Sequence, residues 1–117
     1  MKARFNSFGE IEIDGVCYPH DVVIERGAVR KRKKSASKAY RESYGHTPLS
    51  AEESIPWAGN SLYIGTGMYG SLPVMPAVYK EAEKRGIELV VDKTGAICRL
   101  LEESQPKEIN AILHVTC

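Results

Sequence analysis

No apolar run in this sequence approaches the roughly 20 residues that a membrane-spanning helix requires, so no span is expected. Met1 to Ser7 carries charge without an apolar stretch behind it. No secretory signal is therefore expected, and a cytoplasmic address follows. Cysteine is sparse. Cys17, Cys98 and Cys117 are odd in number and far apart, which argues against a disulfide framework and against the paired C-x-x-C spacing of most zinc sites. They read as reduced thiols used as small hydrophobes, and neither a metal nor a cofactor is implied. Acid is scarce in one place only. Residues 26–44 hold eight basic side chains against the single acid Glu42, a local +7 in a chain whose net charge is +1.

What is present is ordinary for one globular domain. The 117 residues are 43% hydrophobic and 26% charged, and a chain of this length buries about two-thirds of the surface it exposes when unfolded. Its pattern divides into an antiparallel part over about 1–34, an irregular basic segment over about 31–60, and a βαβαβ part over about 61–117.

In the first part Ile11 and Ile13 alternate with acids, and Asp14-Gly15 is a tight hairpin dipeptide. Val16, Cys17 and Tyr18 return from it, Val22-Val23-Ile24 follow Pro19, and Arg26-Gly27 offers a second turn into Ala28-Val29-Arg30. The run Lys31 to Lys38 has no apolar periodicity and reads as a solvated, mobile loop. Recognition of phosphate groups is the sharper alternative. Tyr40 and Tyr44 stand nearby without a complete nucleic-acid motif. Ser50, with Glu53 three residues on, reads as the N-cap and capping-box acid of a short helix that Pro56 ends.

From Ser61 the period changes. Leu62-Tyr63-Ile64 is a buried strand. A helix over 76–85 has Pro76 in its first turn and Gly86 at its C-cap. Ile87 to Val91 is a strand, Thr94 caps a second helix whose Ile97, Leu100 and Leu101 share a face, and Ile109 to Val115 is the last strand. The whole is an α/β domain with a mixed sheet, an antiparallel N-terminal meander joined to a βαβαβ unit with flanking helices.

Gly65, Gly67 and Gly70 match the dinucleotide fingerprint G-x-G-x-x-G, and Asp92 sits where a ribose-binding carboxylate belongs. Proline argues against that function. A true fingerprint runs directly into a helix whose N-terminus faces the pyrophosphate, whereas Pro73 and Pro76 delay the helix to about residue 76. A weaker reading survives. Gly65, Thr66, Gly67, Lys93 and Thr94 lie at the carboxyl ends of neighbouring parallel strands, where open sheets bind ligands. The alternative is that the glycines only permit a tight strand exit.

His114 is the leading catalytic candidate, on the face of Ile112 and Thr116, as a general base working with Asp92 or Cys117. Its odd separation from Cys117 puts the two on opposite faces under strict alternation. Asp21 reads as a turn-forming acid in preference to a carboxylate aimed at a site. His46 and Trp57 have no constellation to join.

Leu62-Tyr63-Ile64-Gly65-x-Gly67, Leu72-x-Val74, Gly86-Ile87-Glu88, Thr94 and the ending Leu113-His114-x-Thr116-Cys117 resemble a family of small single-domain α/β proteins. That family includes the adipogenesis-associated domain protein and a mitochondrial complex I assembly factor. Ser7-x-Gly9-x-Ile11, Asp14-Gly15, Tyr18 and Asp21 to Ile24 resemble its opening hairpin. The resemblance implies a mixed sheet with flanking helices and action through protein partners, with no established chemistry for most members. The chain departs from it at the basic run Arg30 to Lys34, which replaces a tryptophan-bearing strand, at Leu101-Glu102, where relatives carry Tyr-Asn, and at Gly70.

The resulting expectation is a non-enzymatic protein-binding or assembly module that meets its partner through the basic loop and the glycine-loop edge. The alternative is an enzyme or sensor that binds a small anionic metabolite at Gly65-Thr66-Gly67. Nucleic-acid contact through Arg30 to Lys38 ranks last. Nothing in the sequence specifies an oligomeric state.

Overall fold

Two tight turns shape the N-terminal half. Asp14-Gly15 (φ 48° and 83°) and Arg26-Gly27 (φ 49° and 83°) both place two successive residues in the left-handed region, the backbone twist that suits a two-residue hairpin. The computed structural model describes all residues from Met1 to Cys117. Around the first turn β1 (Ala3–Ser7), β2 (Glu10–Ile13) and β3 (Val16–Tyr18) form an antiparallel three-stranded sheet. Around the second, β4 (Val22–Glu25) pairs with β5 (Ala28–Lys31).

The meander expected from the alternation pattern is thus split between two sheets. Pro19-His20 separates them, since proline has no N–H to offer a ladder. β4 pairs instead with β8 (Asn110–His114), antiparallel. β8 also lies parallel to β6 (Ser61–Thr66), and β6 is parallel to β7 (Glu88–Asp92). The five-stranded order is β5-β4-β8-β6-β7. The last strand therefore joins the two halves of the chain.

Between β5 and β6, a 3-10 segment (Ser35–Tyr40) runs into the short α1 (Arg41–Tyr44). Beyond β6 come α2 (Pro76–Arg85) and α3 (Thr94–Glu102). As the prolines require, α2 starts at Pro76 and ends on Gly86 in the left-handed conformation. No helix is long and apolar enough to cross a membrane.

Strand alternation divides the core in two. On one face of the large sheet Val22, Ile24, Ala111 and Leu113 pack with Ile97, Cys98 and Leu101 of α3 and with Ala3, Ile11 and Ile13 of the small sheet. On the other face Val23, Ile112, Leu62 and Ile64 pack with Val78 and Ala82 of α2 and with Leu49, Ile55 and Leu72 from the connecting loops.

Three local expectations are corrected. Ser50 to Glu53 forms a turn rather than a helix, and both side chains face inward. The basic run is not wholly solvated, because Arg32 and Ser37 within it are buried. Thr94 is the first residue of α3 and not its cap; no side chain caps that helix.

Core burial separates neighbouring leucines. Leu101 is fully buried, whereas Leu100 is 40% exposed. Leu101→Ala should cost about 3 kcal/mol through lost transfer energy and the cavity left behind, and Leu100→Ala should stay within about 0.5 kcal/mol; urea unfolding of the two variants measures the contrast.

Candidate functional site

The strand registers assemble a polar row at one edge of the large sheet. Val22 is opposite Leu113 on β8 and opposite Lys31 on β5. One step beyond, Asp21 therefore sits between His114 on one side and Arg32 on the other. These side chains lie on the α2 face, the face of Val23 and Ile112. His114 in turn pairs with Thr66 of β6. The row lies at the carboxyl edge of the parallel strands.

Burial makes the bonding along this row specific. Arg32, 4% exposed, holds Glu53 with a two-pronged contact, Nε to Oε1 and Nη2 to Oε2, each 2.8 Å. Its Nη1 donates to Asp21 Oδ2 at 2.8 Å, and Nη2 also reaches the Pro48 carbonyl at 3.1 Å. Ser37 donates to Glu53, and the Ser37 and Ser50 hydroxyls are 2.7 Å apart. Asp21 Oδ1 accepts the Val115 amide at 2.9 Å, and Oδ2 lies 2.8 Å from His114 Nδ1. His114 Nε2 is 3.0 Å from Thr116 Oγ1. No buried side-chain polar atom is left without a partner.

Two ionisations follow from this geometry. Burial alone pushes the Asp21 carboxyl up, but the hydrogen bond and charge of His114, the Val115 amide and the Arg32 charge together outweigh it and hold it at about 2. Burial likewise works against the Arg32 guanidinium, and the bonds and charges of Glu53 and Asp21 raise it above its ordinary value. Elsewhere burial, with the nearby Glu102 charge, pushes the Cys98 thiol up to about 12, which leaves it an inert core residue.

The glycine loop packs closely on the protein's own chain. Gly65, Thr66, Gly67, Lys93 and Thr94 do converge, and the Thr66 and Thr94 hydroxyls and the Gly67 and Lys93 amides bond to the protein itself. Thr94 Oγ1 accepts the Gly67 amide at 2.8 Å and donates to the His114 carbonyl at 2.6 Å. Thr66 Oγ1 donates to the Asp92 carbonyl at 3.1 Å. Met68, Tyr69 and Ser71 amides bind the carbonyls of Thr116 and Cys117. A Cβ on Gly67, whose φ is +104°, would lie 2.3 Å from the Cys117 carbonyl carbon, and one on Gly65 would lie 2.7 Å from Thr94 Oγ1. The glycines allow close packing against Thr94, Thr116 and Cys117, a clamp on the residues that follow β8.

The space lies beside the clamp. A cleft of about 280 Å³ is lined by Lys34, Lys38, Arg41, His46, His114 and Thr116, with Cys117 also at its wall. No aspartate or glutamate lines it, and Lys34, Lys38 and Arg41 take part in none of the ion pairs of the protein. A second cleft of about 300 Å³ shares Lys34 and Thr116 and reaches His20, Asp21 and Arg32. A larger cleft of about 680 Å³ lies near the starts of β6 and β8, but Arg26, Lys107, Glu103 and Glu108 give it both charge signs.

Of the expected catalytic group, His114 is at the cleft. Its partner is Asp21 rather than Asp92, whose Oδ1 accepts the Lys93 amide. Cys117 shares the cleft with His114 because strand alternation ends at His114. His46 joins the cleft, and Trp57 carries the Arg85 guanidinium 5.3 Å from its ring centroid. No three His, Cys, Asp or Glu side chains are grouped as metal ligands.

Arg32, Glu53, Ser37 and the site role of Asp21 escape sequence reasoning. The available signals were faint. Asp21 directly precedes an apolar triplet, and Arg32 continues the alternation of Ala28 and Arg30.

Asp21 links the site to acid stability. Its folded pKa of about 2 lies below the ordinary value of 3.8, so its contribution is complete above about pH 4 and disappears as pH falls through 2. The difference amounts to about 2 kcal/mol. Denaturation midpoints measured from pH 6 downward should decline through this window, and Asp21→Asn should flatten that part of the decline.

No protein-family model matches the chain, and no curated protein does. Solved structures do. MT938 has a TM-score of 0.53 at 24% identity, over 95% of this chain and 94% of its own, a likeness of fold. The crystal structure of the conserved hypothetical protein PH1505 from Pyrococcus horikoshii OT3 gives a TM-score of 0.76 at 32% identity, with all of both chains covered. The chain therefore belongs to the same family as PH1505.

Proposed function

We propose that this protein binds a small anionic ligand, carrying phosphate or carboxylate, in the cleft beside His114. The observation that carries the reading is charge. Lys34, Lys38 and Arg41 stand around about 280 Å³ with no aspartate or glutamate in the wall and no internal ion pair to neutralise them. Neighbouring cations in a concave space favour an anion, since field lines are focused there. The buried Arg32 is not part of this charge, because Asp21 and Glu53 already occupy it. This reading puts the anionic ligand beside the basic segment, across the sheet edge from Gly65-Thr66-Gly67.

Calorimetry and thermal shift with inorganic phosphate, pyrophosphate and succinate test this. At least one should bind saturably and raise the melting temperature. Lys34→Gln with Arg41→Gln should weaken it about tenfold or more, about 1.4 kcal/mol. No binding by any of the three, or unchanged affinity in the double variant, removes the proposal.

A second reading keeps the protein-binding or assembly role implied by resemblance to the adipogenesis-associated and complex I assembly-factor family. The outer strand β3 supports it. That strand borders β2 on one side only, with Val16 52% exposed and Cys17 exposed, an edge suited to accept a partner strand. Three free cysteines fit a reducing, cytoplasmic setting. Val16→Lys should fold normally and reduce recovery of co-purifying protein. Recovery of the same proteins in the same yield counts against this edge.

A further inference from the structure

Thr116, His114 and Asp21 are in series at the wall of the basic cleft. Asp21 is an ionised carboxylate and only accepts hydrogen bonds. Since its Oδ2 lies 2.8 Å from His114 Nδ1, that nitrogen carries the proton. The other nitrogen, Nε2, then presents a lone pair 3.0 Å from Thr116 Oγ1, and the threonine hydroxyl donates to it. Asp21 is itself immobile. Its second oxygen takes the Val115 amide at 2.9 Å, and the Arg32 that bonds it is locked on Glu53 and Pro48. The imidazole is thus held in one tautomer and one orientation by a group that cannot turn away. Asp21 is satisfied by Arg32 and Val115, while His114 and Thr116 both line open cleft.

Resting on the anion-binding reading above, we propose that Thr116, His114 and Asp21 form a nucleophile, base and orienting group that hydrolyse a carboxylic ester whose acyl part carries a further anionic group. Lys34, Lys38 and Arg41 hold that anionic tail. The Thr116 hydroxyl oxygen forms a bond to the ester carbonyl carbon as Nε2 takes its proton, and the carbonyl π pair moves onto oxygen, where the cations of the cleft oppose its charge. Collapse breaks the bond to the alcohol oxygen, and the alcohol leaves with the proton from Nε2. The acyl group remains on Thr116. Water then gives a proton to Nε2 as its oxygen adds to the acyl carbon, the bond to Thr116 breaks, and Oγ1 regains the proton. Ester and water become acid and alcohol, with no redox partner. Asp21 stays ionised throughout and faces the imidazolium formed in each half. It is a positioning residue; Thr116 and His114 are the catalytic ones.

The probe is mono-4-nitrophenyl succinate, an activated ester with an anionic tail. The intact protein should release nitrophenolate with saturation above the background of free imidazole, and mass spectrometry should find a succinyl adduct on Thr116. Thr116→Ala and His114→Gln should each lower the rate about a hundredfold or more, with Thr116→Ser restoring turnover and adduct. Unfolding midpoints near that of the unaltered protein show that Thr116→Ala remains folded. Full rate in Thr116→Ala, or an adduct that maps to another residue, overturns the proposal. Calorimetry with succinate separates the two readings. Succinate binding without ester hydrolysis overturns the catalytic proposal and leaves anion binding standing, whereas the absence of binding and hydrolysis overturns both for carboxylate ligands.

Discussion

The buried contact between Arg32 and its two carboxylates, Asp21 and Glu53, is the constraint on which the rest of the site depends. The side chain of Arg32 is only 1% exposed, and those of the acids 8% and 3%. Ions so placed are stable only with good geometry and every lone pair and proton in use, which explains the crowd around them. Ser37, the Pro48 carbonyl and the Val115 amide each complete the bonding of one member, and Ser50 in turn bonds Ser37. Loss of one charged partner would leave the other buried and unpaired, a cost of about 3–5 kcal/mol. The network therefore ties the irregular segment down onto the sheet. It also fixes Asp21, and through Asp21 the ring of His114.

A second set of contacts acts on the same strand from the other side. The glycine loop receives the carbonyls of Thr116 and Cys117 on its amides, while Thr94 bridges Gly67 and His114. The residues after β8 are thus gripped between the glycine loop and the Asp21 cluster. This places Thr116 and His114 at the edge of the basic cleft. A backbone that looks like a nucleotide cradle in sequence acts here as a seat for the protein's own chain.

Much of the fold was legible. Asp14-Gly15 and Arg26-Gly27 announced hairpins through local backbone preference, Pro76 and Gly86 bracketed α2, and Ile97 and Leu101 define the buried face of α3 as their spacing suggested, whereas Leu100, expected beside them, is exposed. The split between the two sheets was not, because alternation marks strands and says nothing about which strand lies beside which. Ser50 and Glu53 show the same gap. Their spacing suits a capping box, but a buried guanidinium and a buried serine compete for both side chains, and the ion contact prevails. The basic run looked uniform, although strand alternation carried on for one more step brings Arg32 inward while Lys34 and Lys38 stay out.

The sequence by itself determined β2 to β8, α2 and α3 and their order, since turns, caps and apolar periodicity act over a few residues, but not β1, the 3-10 segment or α1. It also determined that positive charge would gather in one segment. Only the tertiary structure decided what that charge surrounds and which groups react with which. Asp21 and His114 are 93 positions apart, and Arg32 and Glu53 are 21 apart. No local preference encodes such pairs. They arise when β8 inserts between β4 and β6, because one strand register then sets Arg32, Asp21 and His114 in a row and burial requires them to bond.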